Sequence, residues 1–117
     1  MNMCRTEELV MRHIDAFNAH DVDALLADFA PDAQWTTGDY TVPAGELREF
    51  FATAMESITP QLTFRRLIDG GDVVAVELTE TWTHGGRDRT ASLVAIFDLL
   101  DGRITRSKIY REGSADA

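Results

Sequence analysis

Apolar residues near the start of the chain recur at helical spacing. Leu9, Val10, His13, Ile14 and Phe17 make one stripe, with Arg12, Asp15 and Ala19 on the other side. Thr6 is placed to cap this helix, and Glu7 and Glu8 suit the positive end of its dipole. The pattern ends near Asn18–His20. Asp21 then caps a second, short helix whose buried face is Val22, Leu25, Leu26 and Phe29. Pro31 stops it, because the residue before a proline is pushed out of helical geometry. Residues 33–37 read as a short strand, and residues 38–45, with two Gly and one Pro, read as a loop long enough to be a candidate lid.

A third helix is predicted over residues 46–58, with Leu47, Phe50, Phe51, Ala54 and Ile58 facing inward. Four strands follow at 62–68, 73–83, 89–99 and 104–111. They are separated by the turn signals Asp69-Gly70-Gly71-Asp72, His84-Gly85-Gly86-Arg87 and Asp101-Gly102. Helices followed by an antiparallel meander define an α+β fold. The long strands are apolar on both parities: Val74, Val76, Leu78 and Trp82 alternate with Val73 and Ala75, and Leu93, Ala95, Phe97 and Leu99 with Val94 and Ile96. A sheet with one wet face would alternate apolar and polar cleanly. The helices are expected to cover one face and a second copy of the chain the other, giving a homodimer.

Composition narrows the function classes. The 117 residues suit a single domain, with a core at about 6–111 and flexible ends at 1–4 and 112–117. Eleven Lys and Arg against 20 Asp and Glu leave a net charge of −9, which argues against nucleic-acid binding. One cysteine, Cys4, excludes a disulfide or a cysteine-rich zinc site within the chain. The three histidines form no metal-ligand pattern, so no metal is expected. The chain shows no apolar run of signal-peptide length and no stretch of the roughly 20 apolar residues that span a bilayer, so no membrane association and a cytoplasmic location are expected. No nucleophile elbow and no Gly-rich phosphate loop is present, which disfavours covalent catalysis and nucleotide cofactors; no cofactor is expected.

Four segments carry a family likeness: residues 16–21 (Ala-Phe-Asn-Ala-His-Asp), Leu25-Leu26 with Phe29-Ala30-Pro31-Asp32-Ala33, residues 45–51 (Gly-Glu-Leu-Arg-Glu-Phe-Phe), and Asp101-Gly102-Arg103-Ile104. Through them the chain, from about Leu9 to Arg111, resembles the nuclear transport factor 2-like superfamily, in particular its SnoaL-like and ketosteroid-isomerase-like branch. The resemblance implies a curved antiparallel or mixed sheet forming a cone, with three helices around an internal pocket. It implies a lining drawn from the first helix, first strand, third helix and alternate positions of the long strands: Phe17, Trp35, Phe51, Met55, Trp82, Leu93, Ala95, Phe97, Ser107 and Ile109, while Tyr40 in the long loop either covers the pocket or is a loop aromatic. It places His13 where ketosteroid isomerase carries its oxyanion-hole tyrosine, Thr37 at that enzyme's aspartate base and Ala95 at its proton-donating aspartate. Ile109 stands near the acid-base aspartate of the polyketide cyclases. The acid-base aspartates of the relatives are therefore replaced, and fold alone does not give function.

Three residues are candidates for chemistry. His13 lies on the apolar stripe and its neutral pKa range suits proton transfer; the alternative is a core histidine. Thr37 shares a parity with Trp35 and offers a weak donor or acceptor. Glu80 interrupts an apolar parity, as a carboxylate base at the pocket mouth or as a solvated residue near a strand end. Tyr110, with Arg106 and Lys108 on its parity, is expected on the convex or dimer face. The expectation is a small-molecule pocket protein acting as a cofactor-free acid–base enzyme (isomerase, cyclase or dehydratase) on a small apolar oxygenated metabolite such as a polyketide or steroid-like compound. The alternative is a non-catalytic binding or accessory module with the same pocket.

Overall fold

A computed structural model describes residues 5–112. Helix α1 (Arg5–Asn18) and short helix α2 (Val22–Ala27) precede strands β1 (Phe29–Thr37) and β2 (Tyr40–Thr41). Helix α3 (Leu47–Ser57) follows, then strands β3 (Gln61–Asp69), β4 (Val73–His84), β5 (Arg87–Leu100) and β6 (Arg103–Arg111). The six strands form one curved, unclosed sheet in the order β2-β1-β6-β5-β4-β3. Every pairing is antiparallel except β1 with β6, so the sheet is mixed. Three helices and one mixed sheet realise the α+β cone that the resemblance implied.

Several predicted boundaries move. Helix α1 already includes Arg5 and Thr6, so Thr6 is not its cap. Phe29 belongs to β1 rather than to the second helix, and the strand runs through Pro31. The β1–β6 register explains how. Phe29 pairs with Ile104 and Gln34 with Arg106, so β1 carries extra residues between those two pairs. Pro31 falls in this bulge, where the missing N–H breaks no ladder bond. The predicted loop after β1 contains the two-residue strand β2, which folds back on Thr36 and Thr37. Glu112, expected to fray, is tied to Ser92, its N–H donating to the Ser92 carbonyl at 3.0 Å. The other expected flexible residues, 1–4 with Cys4 and 113–117, lie outside the described residues.

The predicted turns form as their residues require. Asp101 and Gly102 adopt φ of 53° and 76°, the left-handed pair that a two-residue hairpin between Leu100 and Arg103 needs. Asp21 caps α2 as read from the sequence, its carboxylate accepting from the Ala24 N–H at 3.0 Å. The core lies between the helices and one face of the sheet. Leu9, Val10, Ile14 and Phe17 of α1 and Phe51 and Met55 of α3 bury against Val74, Val76, Leu78, Leu93, Ala95, Phe97, Ile104 and Ile109.

One side chain closes the helical layer onto the far strand. Asn18, at the end of α1, donates through Nδ2 to the Leu62 carbonyl at 2.8 Å and accepts the Leu62 N–H on Oδ1 at 2.6 Å. The adjacent His20 holds φ at 55° and places Nε2 3.0 Å from the Pro60 carbonyl. Replacing Asn18 by Ala removes both bonds and leaves a part-buried backbone donor and acceptor unpaired. The expected cost is about 2 kcal/mol in urea unfolding, against about 1 kcal/mol for Asp21→Ala, which removes a cap only.

Candidate functional site

Strand register fixes which polar groups share the concave face. Thr37 is level with Ile109, which pairs with Ala95 and so with Val76. One row further along, Arg111 pairs with Leu93, and Leu93 with Leu78. The next row holds Glu80, paired with Ala91 and Leu62. Partners across a ladder point to the same face, and that face repeats every second residue. Thr37, Arg111 and Glu80 are thereby brought from three separate strands to one end of the concave face, where β6 stops.

The three groups form a hydrogen-bonded chain. Arg111 donates through Nε (3.0 Å) and Nη2 (2.5 Å) to Oε1 of Glu80 and through Nη1 (3.0 Å) to Oγ1 of Thr37. The Glu80 side chain is 6% exposed and that of Arg111 15% exposed, so the ion pair is almost dry. Glu80 is therefore neither a solvated strand-end residue nor an unaccompanied carboxylate; its charge is matched by Arg111. Among the described residues Oε2 of Glu80 takes no bond. Arg111 was missed as a site residue by sequence reasoning. Its signal was present: it continues the parity of Ser107 and Ile109 on the last strand, both of which were assigned to the pocket.

His13 sits elsewhere, deeper in the core. It is 3% exposed. Its ring lies 5.2 Å from that of Phe97, 5.9 Å from Phe29, 6.0 Å from Trp35 and 6.5 Å from Phe17. Ser107, fully buried, lies between Trp35 and Phe97 by register. Nδ1 of His13 and Oγ of Ser107 are both buried without a hydrogen-bond partner. Burial in this apolar surround holds the imidazole down to about 4, from an ordinary 6.5, while the charge of Asp28 acts in the opposite direction. His13 is thus neutral at pH 7, and the structure does not place it beside Glu80, Arg111 or Thr37 in any hydrogen bond.

The apolar lining residues divide into two groups. Phe17, Trp35, Phe51, Met55, Trp82, Leu93, Ala95, Phe97 and Ile109 are buried. Trp35 packs edge-on to Phe51 with centroids 4.9 Å apart. Tyr40 is different: it is 52% exposed and stacks on Phe50, beside a concavity of about 280 Å³ on the outer side of α3. None of the four concavities described is lined by His13, Glu80 or Arg111. Among the described residues no cluster of three or more His, Cys, Asp or Glu could hold a metal ion. No helix there is long and apolar enough to cross a membrane.

A cone of this topology is the nuclear transport factor 2-like fold, shared by solved structures of that description. The chain belongs to the SnoaL-like domain family, which matches residues 10–107. Solved structures share the fold. The LEH-like epoxide hydrolase of M. tuberculosis is 19% identical over 92% of this chain and 83% of that one, with a TM-score of 0.82. TerC, co-crystallised with polyporic acid, is 22% identical over 93% of this chain and 92% of that one, at 0.83. A proposed polyketide cyclase from Sinorhizobium meliloti is 22% identical over 92% of this chain and all of that one, at 0.75. At these identities the likeness establishes the fold and not the reaction. No curated protein matches the sequence significantly.

The buried imidazole has a measurable signature. Below about pH 6.5 the unfolded chain protonates His13, whereas the folded chain does so only near pH 4. Its contribution is fully present above pH 6.5 and is lost as pH falls through that window, by up to about 3 kcal/mol. Urea unfolding at about pH 7.5 and about pH 4.5 should show a loss of stability in the wild type that exceeds the loss in His13→Phe by roughly that amount.

Proposed function

We propose that the protein binds a small, largely apolar, oxygenated molecule on the concave face and acts on it by cofactor-free acid–base chemistry. Glu80 is the proton acceptor and Arg111 the donor that meets developing negative charge on oxygen. The observation that carries this reading is the buried Glu80–Arg111–Thr37 chain. Arg111 occupies only one oxygen of Glu80, so Oε2 is left to take a proton from carbon next to a carbonyl. Three of the five guanidinium N–H groups are used by Glu80 and Thr37, which leaves donors for an enolate oxygen. Isomerisation, cyclisation and dehydration all begin with such a step. Relatives of the same fold that carry cyclase and epoxide hydrolase names, and one crystallised with polyporic acid, support an oxygenated cyclic ligand class.

A non-catalytic binding module is the second reading, and the full charge matching of Glu80 by Arg111 favours it. Deuterium exchange separates the two. Cyclic ketones such as 2-tetralone, incubated in heavy water, should lose α-protons faster with the wild type than with buffer. Glu80→Gln should reduce that acceleration about 100-fold, within the range of a lost general base. Exchange unchanged in Glu80→Gln ends the catalytic reading. Ligand-induced shifts in the Thr37 and Arg111 signals without any exchange establish the binding module instead.

The convex face is the proposed homodimer surface. Its ladders set Ala75, Ile96 and Lys108 side by side, then Glu77, Val94 and Tyr110. Tyr110 is 54% exposed, with Lys108 Nζ 5.0 Å from its ring centroid. Apolar residues among charges of both signs allow a two-fold surface to match itself. Light scattering at micromolar concentration should give twice the chain mass of 13.0 kDa, and Ile96→Glu should give the single mass. A wild-type protein of single mass removes the proposal.

A further inference from the structure

The concave face carries a second arginine that forms no ion pair among the described residues. Arg89 of β5 is the ladder partner of Trp82 on β4, one row beyond Glu80 and Ala91. Ladder partners share a face, so Arg89, Trp82, Glu80 and Arg111 all stand on the concave side. Arg89 is half-buried, and its Nε is buried without a hydrogen-bond partner. The ion pairs among the described residues join Arg12 to Asp28, Arg48 to Asp23, Arg66 to Glu77 and Arg111 to Glu80, and none includes Arg89. The adjacent Asp88 pairs in register with Thr83, on the opposite face, and accepts that residue's hydroxyl at 3.2 Å.

Electrostatics turns this into a statement about the ligand. On the concave parity two guanidinium groups face one carboxylate; Asp88, which lines the same concavity as Arg89, stands on the other parity and is bonded by the Thr83 hydroxyl rather than by Arg89. The chain has 20 acidic residues and a net charge of −9, so the missing counter-charge does not reflect a shortage of acids. A partly buried guanidinium with an unsatisfied Nε is costly unless something completes it. Nε and one Nη of an arginine form the side that grips two oxygens at once. We propose that Arg89 is the anchor for an anionic oxygen group, a carboxylate, on the ligand of the concave face, with the indole of Trp82 beside its apolar body. This names the charge class of the ligand and rests on the concave face being the binding site.

A matched pair of probes tests it: 1-naphthoate and the neutral 1-naphthamide, titrated while the Arg89, Arg111 and Trp82 side-chain N–H signals are followed by NMR. Naphthoate should bind the wild type at least about tenfold more tightly, since a charge-assisted bidentate contact is worth more than ~1.4 kcal/mol. Arg89→Met should bring the two probes within about twofold of each other, and Arg89→Lys should keep part of the preference. Because Nε has no partner to lose, Arg89→Met should leave the melting temperature unchanged or raise it; a fall of several degrees would show that the arginine holds the fold instead. Equal binding of the two probes to the wild type, or a preference that survives Arg89→Met, overturns the anionic anchor and leaves the binding site standing. Failure of both probes to shift any of these signals at ~10 mM would remove the concave-face site itself, and the anchor with it.

Discussion

The cone depends on a helix end being fastened to a strand at the opposite side of the sheet. Asn18 does this by offering Leu62 one donor and one acceptor, the same pair that a neighbouring strand would offer. Only Asn and Gln carry both on a planar amide, and only Asn is short enough to do so with little freedom to lose. The bond spans from α1 to β3, the last strand in the sheet order, while β1 and β2 lie at the other end. A sheet held in this way must bend around the helix. The same bend turns alternate positions of β4, β5 and β6 toward a common interior, so the meeting of Arg111 with Glu80 follows from curvature set elsewhere.

Within that interior the polar groups obey two different economies. His13 stays uncharged, because the rings of Phe17, Phe29, Trp35 and Phe97 offer no counter-charge and no acceptor. Glu80 and Arg111 face each other instead, with three donated bonds between the cluster members. A buried pair of this kind contributes little net stability, since drying two ions costs about what their attraction returns. What the pair does supply is fixed geometry. A carboxylate oxygen and guanidinium donors are held in place before any ligand arrives, which is the condition for useful electrostatics at a site.

The helical stripes, the hairpin signals and the doubled apolar parity were legible because each is written locally. Asp101-Gly102 needs no distant partner to declare a turn, and Asp21 needs only Ala24 to declare a cap. Phe29 was misassigned because one apolar residue at helical spacing also satisfies a strand, and the parallel pairing that decides the matter comes from β6, over seventy positions away. The site was harder still. Glu80 was legible as a break in an apolar parity, but Arg111 looks like any surface charge along the chain. Their relation exists only through the β4–β5 and β5–β6 registers together. His13 was legible as a candidate by residue type, but not its aromatic enclosure, since Phe29 and Trp35 come from β1 and Phe97 from β5, far apart in the chain.

The margins of the sheet have a consequence of their own. An open sheet exposes two rows of unpaired backbone groups that could template strands from other molecules. On one side the last strand is β2, only two residues long. On the other, β3 is interrupted between Phe64 and Arg66, and the intervening Arg65 turns back to bond Thr79 while Arg66 reaches Glu77. A stub at one border and a kinked, arginine-bearing strand at the other give incoming chains no flat row to extend. Self-association is steered away from open-ended growth, and contacts between copies are left to surfaces that can close on themselves.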